Sequence, residues 1–330
     1  MKIAKSSMRL SGVLETVLLE LGGELRATLA SCAMRLFRRK YLDKTLHTNP
    51  GINQLVLPAY TASRVEVFRR LAPKGVKKYD VNSSFPSSMA AGESPGSFIG
   101  IEKKLATTYN PHLVIAKCAV KIPECYLPPV PYRADDGRIF FPTGAFTNWF
   151  SGEDIRLIEE SGGTIEKVHK VCEFEPSDAL VQYAQDLYER RKSTTNEFWR
   201  ETLKLLLNGL YGKFQERNEK QNIIMNPEKP GCPHGGKHKN NSCVEALSPG
   251  IHLITDEVQV AHQHTPFAIH ITAKSRRLLY DGLARGCALD EWGWNQIFYC
   301  DTDSVITTAE MPSSTELGEF KLEGVVKEDA

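Results

Sequence analysis

Apolar residues recur every three to four positions through residues 8–45, as in VLETVLLELGGELRATLASCAMRLFRRKYL, and Gly22-Gly23 interrupts them. That period predicts helix on both sides of a break. Residues 46–58 show no period and read as a linker. GVKKYDV (75–81) predicts a strand, and NSSFPSS after it a turn in which Ser83, Ser84 and Pro86 mark a helix start. From 113 to 175 short strands (LVIAKCAVKI, RIFFP) alternate with one helix, GEDIRLIEESG, stopped by glycine. Residues 178–214 predict two long helices, and 265–286 another. Residues 221–250 hold Pro, Gly, Asn, His and Cys with little period and read as a loop. IFYCDTDSVI (297–306) reads as a strand whose alternation puts Asp301 and Asp303 on one face and Thr302 on the other. No internal repeat is visible.

Composition narrows this little. The 330 residues suffice for two or three packed units, and 41% hydrophobic with 25% charged residues is an ordinary globular balance. Lys plus Arg number 41 against 40 acids, so any basic surface must be local. Eight cysteines follow no framework spacing. Neither a secretory signal nor a membrane-length apolar run is present, so a reduced, intracellular protein without a membrane partner is expected.

Three constellations carry candidate chemistry. Asp301 and Asp303 repel on one face unless a cation neutralises them, and Mg²⁺ accepts carboxylate together with phosphate oxygens. Asp80 ends another strand, before a helix start whose free N–H groups suit an anion. On its own, D-x-D reads more readily as a β-turn with solvated acids. In RETLKLLLNGLYGKF, Arg200, Lys204, Asn208 and Tyr211 fall at i, i+4, i+8 and i+11, opposite Leu203, Leu206, Leu207, Leu210 and Phe214. Lys192 lies eight residues earlier on the same basic side. Such a stripe suits the phosphates and base of a nucleotide, although a solvated face reads equally well from the stripe alone. Third, CPHGGKHKNNSC places Cys232, His234, His238 and Cys243 close enough to hold Zn²⁺, at a spacing that matches no standard zinc pattern.

Together these residues carry a resemblance. DVNSSFPSSM looks like motif A of family B DNA polymerases (D-x-x-S-L-Y-P), KLLLNGLYG matches motif B (K-x-x-x-N-x-x-Y-G), and YCDTDS matches motif C (Y-x-D-T-D-S). All three occur in the family's order. KLLLNGLYGKF and YCDTDS are most similar to the protein-primed branch of phages, adenoviruses and linear plasmids. The 97 residues from Lys204 to Asp301 leave room for that branch's insertion. AYTASRVEVF resembles its Y-x-G-G linker at Tyr60, with Ala62 and Ser63 in place of the glycines.

The resemblance implies an α+β fold: a right-hand palm, an antiparallel sheet with packed helices, plus helical fingers. It implies a helical exonuclease-domain end at 1–45, linker and palm start at 46–91, palm strands and an insertion at 92–177, fingers at 178–220, an insertion loop at 221–250 and palm at 251–330. The thumb and a K-x-Y motif would lie beyond Ala330, and proofreading motifs are absent. The implied activity is template-directed addition of deoxynucleotides to a 3′-hydroxyl by two-metal phosphoryl transfer. Asp80 and Asp303 would hold two Mg²⁺ ions, with Asp301 auxiliary. Lys204, Arg200 and Lys192 would grip the triphosphate, while Asn208, Tyr211 and Phe85 shape the nucleotide pocket. Tyr60, Gly212, Lys213 and Thr302 would meet DNA. Arg276 reads either as an active-site contact or as a core-edge ion pair. Primer-template DNA, dNTPs and a terminal priming protein are the implied partners, in a host cytoplasm or an organelle. The alternative is a truncated remnant that binds nucleotide or DNA without turnover.

Overall fold

The computed structural model describes residues 2–47, 49–216, 219–225, 242–257, 262–287 and 295–325. Its first elements are α1 (Lys2–Leu21), α2 (Leu29–Leu36, continued by a π-helical turn, Phe37–Tyr41), α3 (Pro50–Val56), β1 (Val65–Val67), β2 (Lys77–Val81) and α4 (Ser84–Ala90). Next come β3 (Ser94–Glu102), β4 (Val114–Ile122), the two-residue β5 (Tyr132–Arg133) and β6 (Ile139–Phe140), β7 (Gly144–Ser151), α5 (Gly152–Glu160) and β8 (Thr164–Ser177). Then follow α6 (Ala179–Ser193), α7 (Glu197–Gly209), β9 (Glu219–Met225), β10 (Ser242–Ser248), β11 (Ile251–Glu257), α8 (Thr265–Gly286), β12 (Ile297–Asp301), β13 (Ser304–Thr307) and β14 (Phe320–Val325).

Antiparallel pairing builds a five-stranded sheet, β1-β12-β13-β2-β14, and a four-stranded sheet, β3-β8-β4-β7. A smaller sheet joins β10-β11-β9. The fold is α+β, as the sequence implies.

One helix ties these layers together. α8 gives Phe267, Ala268 and Ile271 to the core it shares with α2, α6 and α7, where Phe37 meets Tyr183, Phe214 and Phe267 edge-on. Ile269 enters the core under the four-stranded sheet, and Leu279 and Leu283 enter the core under the five-stranded one. Gly282 lets Phe320 of β14 lie on the helix: a Cβ there would sit 2.2 Å from the ring. The polar middle of α8 is held by α5. Ser151 and Asp154 form a reciprocal cap at the start of α5, and Asp154 also accepts both 2.9 Å bonds from the Arg276 guanidinium. The neighbouring Glu153 accepts from Lys274 at 2.9 Å. Arg276 is therefore an ion-pair residue, 4% exposed, whose other nitrogen donates to the Thr61 carbonyl.

Several expectations give way here. Residues 46–58 are not a bare linker: Asn49 caps α3, Pro50 opens it, and Ile52 and Val56 are buried, in a helix too short to show a period. Residues 92–177 hold longer strands than expected, including the fourteen-residue β8. Residues 221–250 are not all loop, since 221–225 and 242–248 are strand; the Pro, Gly and His between them masked these short apolar runs. Helix α7 ends at Gly209, and a 3₁₀ turn carries Tyr211–Gln215. Residues 297–306 are a hairpin rather than one strand.

Removing one partner of a buried ion pair strands the other's charge. Arg276→Met is expected to cost about 3–5 kcal/mol in urea unfolding, with part recovered in Arg276→Met/Asp154→Leu. A loss within error of zero would show that α5 does not anchor α8.

Candidate active site

In KKYDV, Tyr79 and Val81 are each 1% exposed and bury into the core, so alternation turns Asp80 to the opposite face of β2. Next to β2 runs β13, with Ser304 directly opposite Asp80. The two residues before Ser304 form the hairpin turn. Thr302 holds a left-handed backbone (φ 56°), a conformation that costs a β-branched residue about 1–3 kcal/mol. Backbone bonds hold it there from both sides: Thr302 N–H donates to the Arg64 carbonyl (3.0 Å), and Val81 N–H donates to the Asp303 carbonyl (2.8 Å). Arg64 is itself fixed, its guanidinium 3.9 Å from the Phe141 ring.

The turn separates the two acids that a continuous strand would have aligned. Asp303 enters a cleft of about 460 Å³ with Asp80, and Asp301 does not line it. Asp301 instead accepts from the Tyr299 hydroxyl (3.2 Å) and the Thr302 hydroxyl (3.0 Å). Burial, followed by Asp80 and Asp301, pushes the Asp303 carboxyl up to about 6. Asp80 is also raised, by burial and then by Glu323, against the opposing pull of Lys78 and Lys321.

Helices supply the other wall. Lys204, Asn208 and Tyr211 line the cleft, as the stripe predicted, while Leu203, Leu206, Leu207, Leu210 and Phe214 are buried. The Tyr211 ring stacks on Phe85 with centroids 4.0 Å apart. Phe85 lies in the first turn of α4, whose N-cap Ser83 is left-handed (φ 56°) and makes no side-chain cap bond. The Ser84 and Ser275 hydroxyls, 2.8 Å apart, fasten α4 to α8.

Other sequence candidates lie outside this cleft. Lys192 and Arg200 line an adjoining one, Lys192 3.3 Å from Glu316 and Arg200 donating to the Thr194 carbonyl. Tyr60 is half-buried near Tyr211, Gly212 faces open space, and Lys213 is turned to Glu216. Cys232, His234 and His238 fall outside the described residues; Cys243 lies in β10.

Three charged residues of the lining lie outside the sequence expectations: Arg191, Lys321 and Glu323. Arg191 sits beside Lys192 in a run of three cations ending α6, where only the helix's rotation decides which one faces inward. For Glu323 the signal was strand alternation after Phe320, a core residue.

Among the described residues, no group of three or more His, Cys, Asp or Glu side chains is arranged as a ready-made metal cage. Asp80 and Asp303 nevertheless fit a hard divalent cation. They supply two oxygen donors whose mutual repulsion a cation would relieve, and Mg²⁺ in particular is held by one or two carboxylates plus substrate phosphates.

A family model for type B DNA polymerases, organellar and viral, matches residues 23–265. The chain belongs to this family. It is 26% identical to a probable DNA polymerase of Neurospora intermedia over 91% of this chain and 32% of that protein. It is 27% identical to the DNA polymerase of Bacillus phage phi29 over 79% of this chain and 44% of that protein. The chain thus spans about a third to under a half of the length of these relatives. The phi29 DNA polymerase structure with primer-template DNA and incoming nucleotide superposes with a TM-score of 0.68 at 21% identity, covering 92% of this chain and 54% of that one, so the type B polymerase fold is shared. Family and relatives agree with the branch that the motifs resemble. Among the described residues no helix is long and apolar enough to cross a membrane.

The raised Asp303 carboxyl has a consequence for stability. Between about pH 4 and 6 the folded state keeps a proton that the unfolded chain has lost, so this group's contribution falls as pH rises through that window. Without divalent cations, Asp303→Asn should melt a few degrees above the parent at pH 7. The gain should vanish near pH 4 in a thermal melt series.

Proposed function

We propose that the chain carries the nucleotidyl-transfer site of a template-directed DNA polymerase acting on primer-template DNA and dNTPs. The observation behind this reading is that Asp80 and Asp303 share one cleft with Lys204, Asn208 and the stacked rings of Tyr211 and Phe85. In this reading the five-stranded sheet is palm, α6 and α7 are fingers, α1 and α2 end an exonuclease domain, and the β9–β11 sheet belongs to the insertion. Protein priming, with a terminal protein as partner inside a host cell or organelle, follows from the branch.

Asp80 and Asp303 would hold two Mg²⁺ ions, with Asp301 outside the pair and hydrogen-bonded to Tyr299. Bound there, such ions activate a primer 3′-hydroxyl and neutralise a leaving pyrophosphate. Lys204 gives charge-assisted hydrogen bonds to triphosphate oxygens. Asn208 and the Tyr211 ring bound the nascent base pair. Phe85 fills the volume that a ribose 2′-hydroxyl would need, bulk that phenylalanine supplies without a hydroxyl. Thr302 acts on the site through its backbone, by setting the turn. Tyr60 supports Tyr211 from behind, leaving Gly212 and Lys213 as the DNA-side residues of that turn. A zinc in the Cys232–Cys243 segment stays a separate proposal, tested by metal content of the purified chain.

Primer extension with a labelled primer-template, four dNTPs and Mg²⁺ tests the reading, on the chain alone and with its flanking coding sequence restored. Asp303→Asn should abolish extension, and activity retained in that variant would sink the assignment. Lys204→Ala should raise the dNTP KM about 10- to 100-fold, the worth of one charge-assisted hydrogen bond, with little change in DNA affinity. Silence of both forms, with dNTP still bound, would favour the remnant that binds without turnover. Phe85→Val should admit ribonucleotides that the parent rejects, measured as the ratio of kcat/KM for dATP and ATP.

A further inference from the structure

β1 is an edge strand of the five-stranded sheet, and its three residues are all exposed. It pairs with β12, Val65 opposite Asp301, and buries no side chain of its own that could anchor it. Its anchor is the residue before it. Arg64 is 4% exposed, and its backbone carbonyl accepts from both the Thr302 N–H (3.0 Å) and the Cys300 thiol (3.8 Å). Those two donors flank Asp301. The Arg64 side chain binds the segment between β4 and β7. Its Nη2 donates to the Pro128 carbonyl at 2.5 Å, and the guanidinium lies 3.9 Å from the Phe141 ring. Glu66, half-exposed and 3.4 Å from Nη1, is only a partial counter-charge, and Nη1 has no hydrogen-bond partner. With Arg276, Leu279 and Tyr280 of α8, Arg64 borders a gap of about 10 Å³, too small to give the side chain a second place.

A buried guanidinium so thinly paired carries a desolvation cost that an apolar side chain of similar volume would not. What it gains is geometry. A planar fork with one carbonyl in reach and one ring to stack on has a single orientation. We propose that Arg64 is a positioning residue for nucleotidyl transfer, an inference that rests on the polymerase reading above. Its side chain, locked to Pro128 and Phe141, fixes the carbonyl that keeps Thr302 left-handed. That turn in turn keeps Asp303 in the cleft with Asp80 and leaves Asp301 out of it. Arg64 does not line that cleft and acts on it through the turn. A displacement of residues 128–141 thereby reaches the carboxylates, although none of those residues lines their cleft either.

Backbone amide exchange, followed by NMR on the full chain without divalent cations, tests the turn directly. In Arg64→Met the Thr302 amide should exchange about tenfold faster than in the parent. The Asn82 amide, bonded to the Glu319 carbonyl, should keep its rate. Single-nucleotide incorporation, by whichever form extends primers, tests the consequence. Arg64→Met should lower kcat about tenfold, with the dNTP KM and primer-template Kd within a factor of about three and the melting temperature at or above the parent's. Arg64→Lys keeps the charge without the fork and should resemble Arg64→Met. Phe141→Leu should give a smaller loss of the same kind and add nothing to Arg64→Met, because the two residues act as one unit. Unchanged Thr302 exchange in both single variants would overturn the proposal. So would full activity in Arg64→Lys, or a kcat loss matched by losses in KM, DNA affinity and melting temperature. A parent that never extends primers fails the polymerase reading, and Thr302 exchange still decides whether Arg64 holds the turn.

Discussion

The architecture leans on the pair between Arg276 and Asp154. α8 touches three cores, and at its centre Lys274, Ser275 and Arg276 pack against neighbouring elements. Charge in such a place persists only with a partner. Asp154 supplies it, and the same carboxylate caps α5, so one residue both starts that helix and ties it to α8. Ser275, one position along, reaches Ser84 in the lining of the cleft that holds Asp80 and Asp303. The polar centre of α8 therefore touches both α5, which follows β7 of the four-stranded sheet, and α4, which follows the strand bearing Asp80.

The second constraint is backbone strain at a charged turn. Thr302 holds a conformation it would not choose, and the strands on either side supply the bonds that keep it there. The result is an asymmetric pair of acids. One is exposed and hydrogen-bonded to neighbouring hydroxyls; the other is partly buried against Asp80. A flat strand would have put both carboxylates on one face.

The sequence showed the chemistry more clearly than the geometry. Helices α5, α6, α7 and α8 were legible because each runs long enough to display a period; Ser151 and Asn196 cap α5 and α7, and Pro266 sits in the first turn of α8. The acids and the stripe from Lys204 to Tyr211 were legible as residue types at fixed spacing. What stayed hidden depends on rotation or on contacts distant in sequence. Alternation could not reveal that 297–306 folds back at Thr302, because a hairpin's two arms carry the same apolar signature as one long strand. Nor could helical spacing choose between Arg191 and Lys192, which differ by 100° around α6. Arg276 read as either of two roles until Asp154, 122 residues away, settled it.

Gly282 shows how far from the chemistry a site can be damaged. Its missing side chain is the space that the Phe320 ring occupies, and Phe320 immediately precedes Lys321, which lines both clefts. Any larger residue at 282 must move the ring, and through it the edge strand, before it moves anything else. A lesion at that glycine would reach the lining of both clefts, although residue 282 lines neither. Packing on the far face of the sheet and charge on the near face are read out through the same short strand.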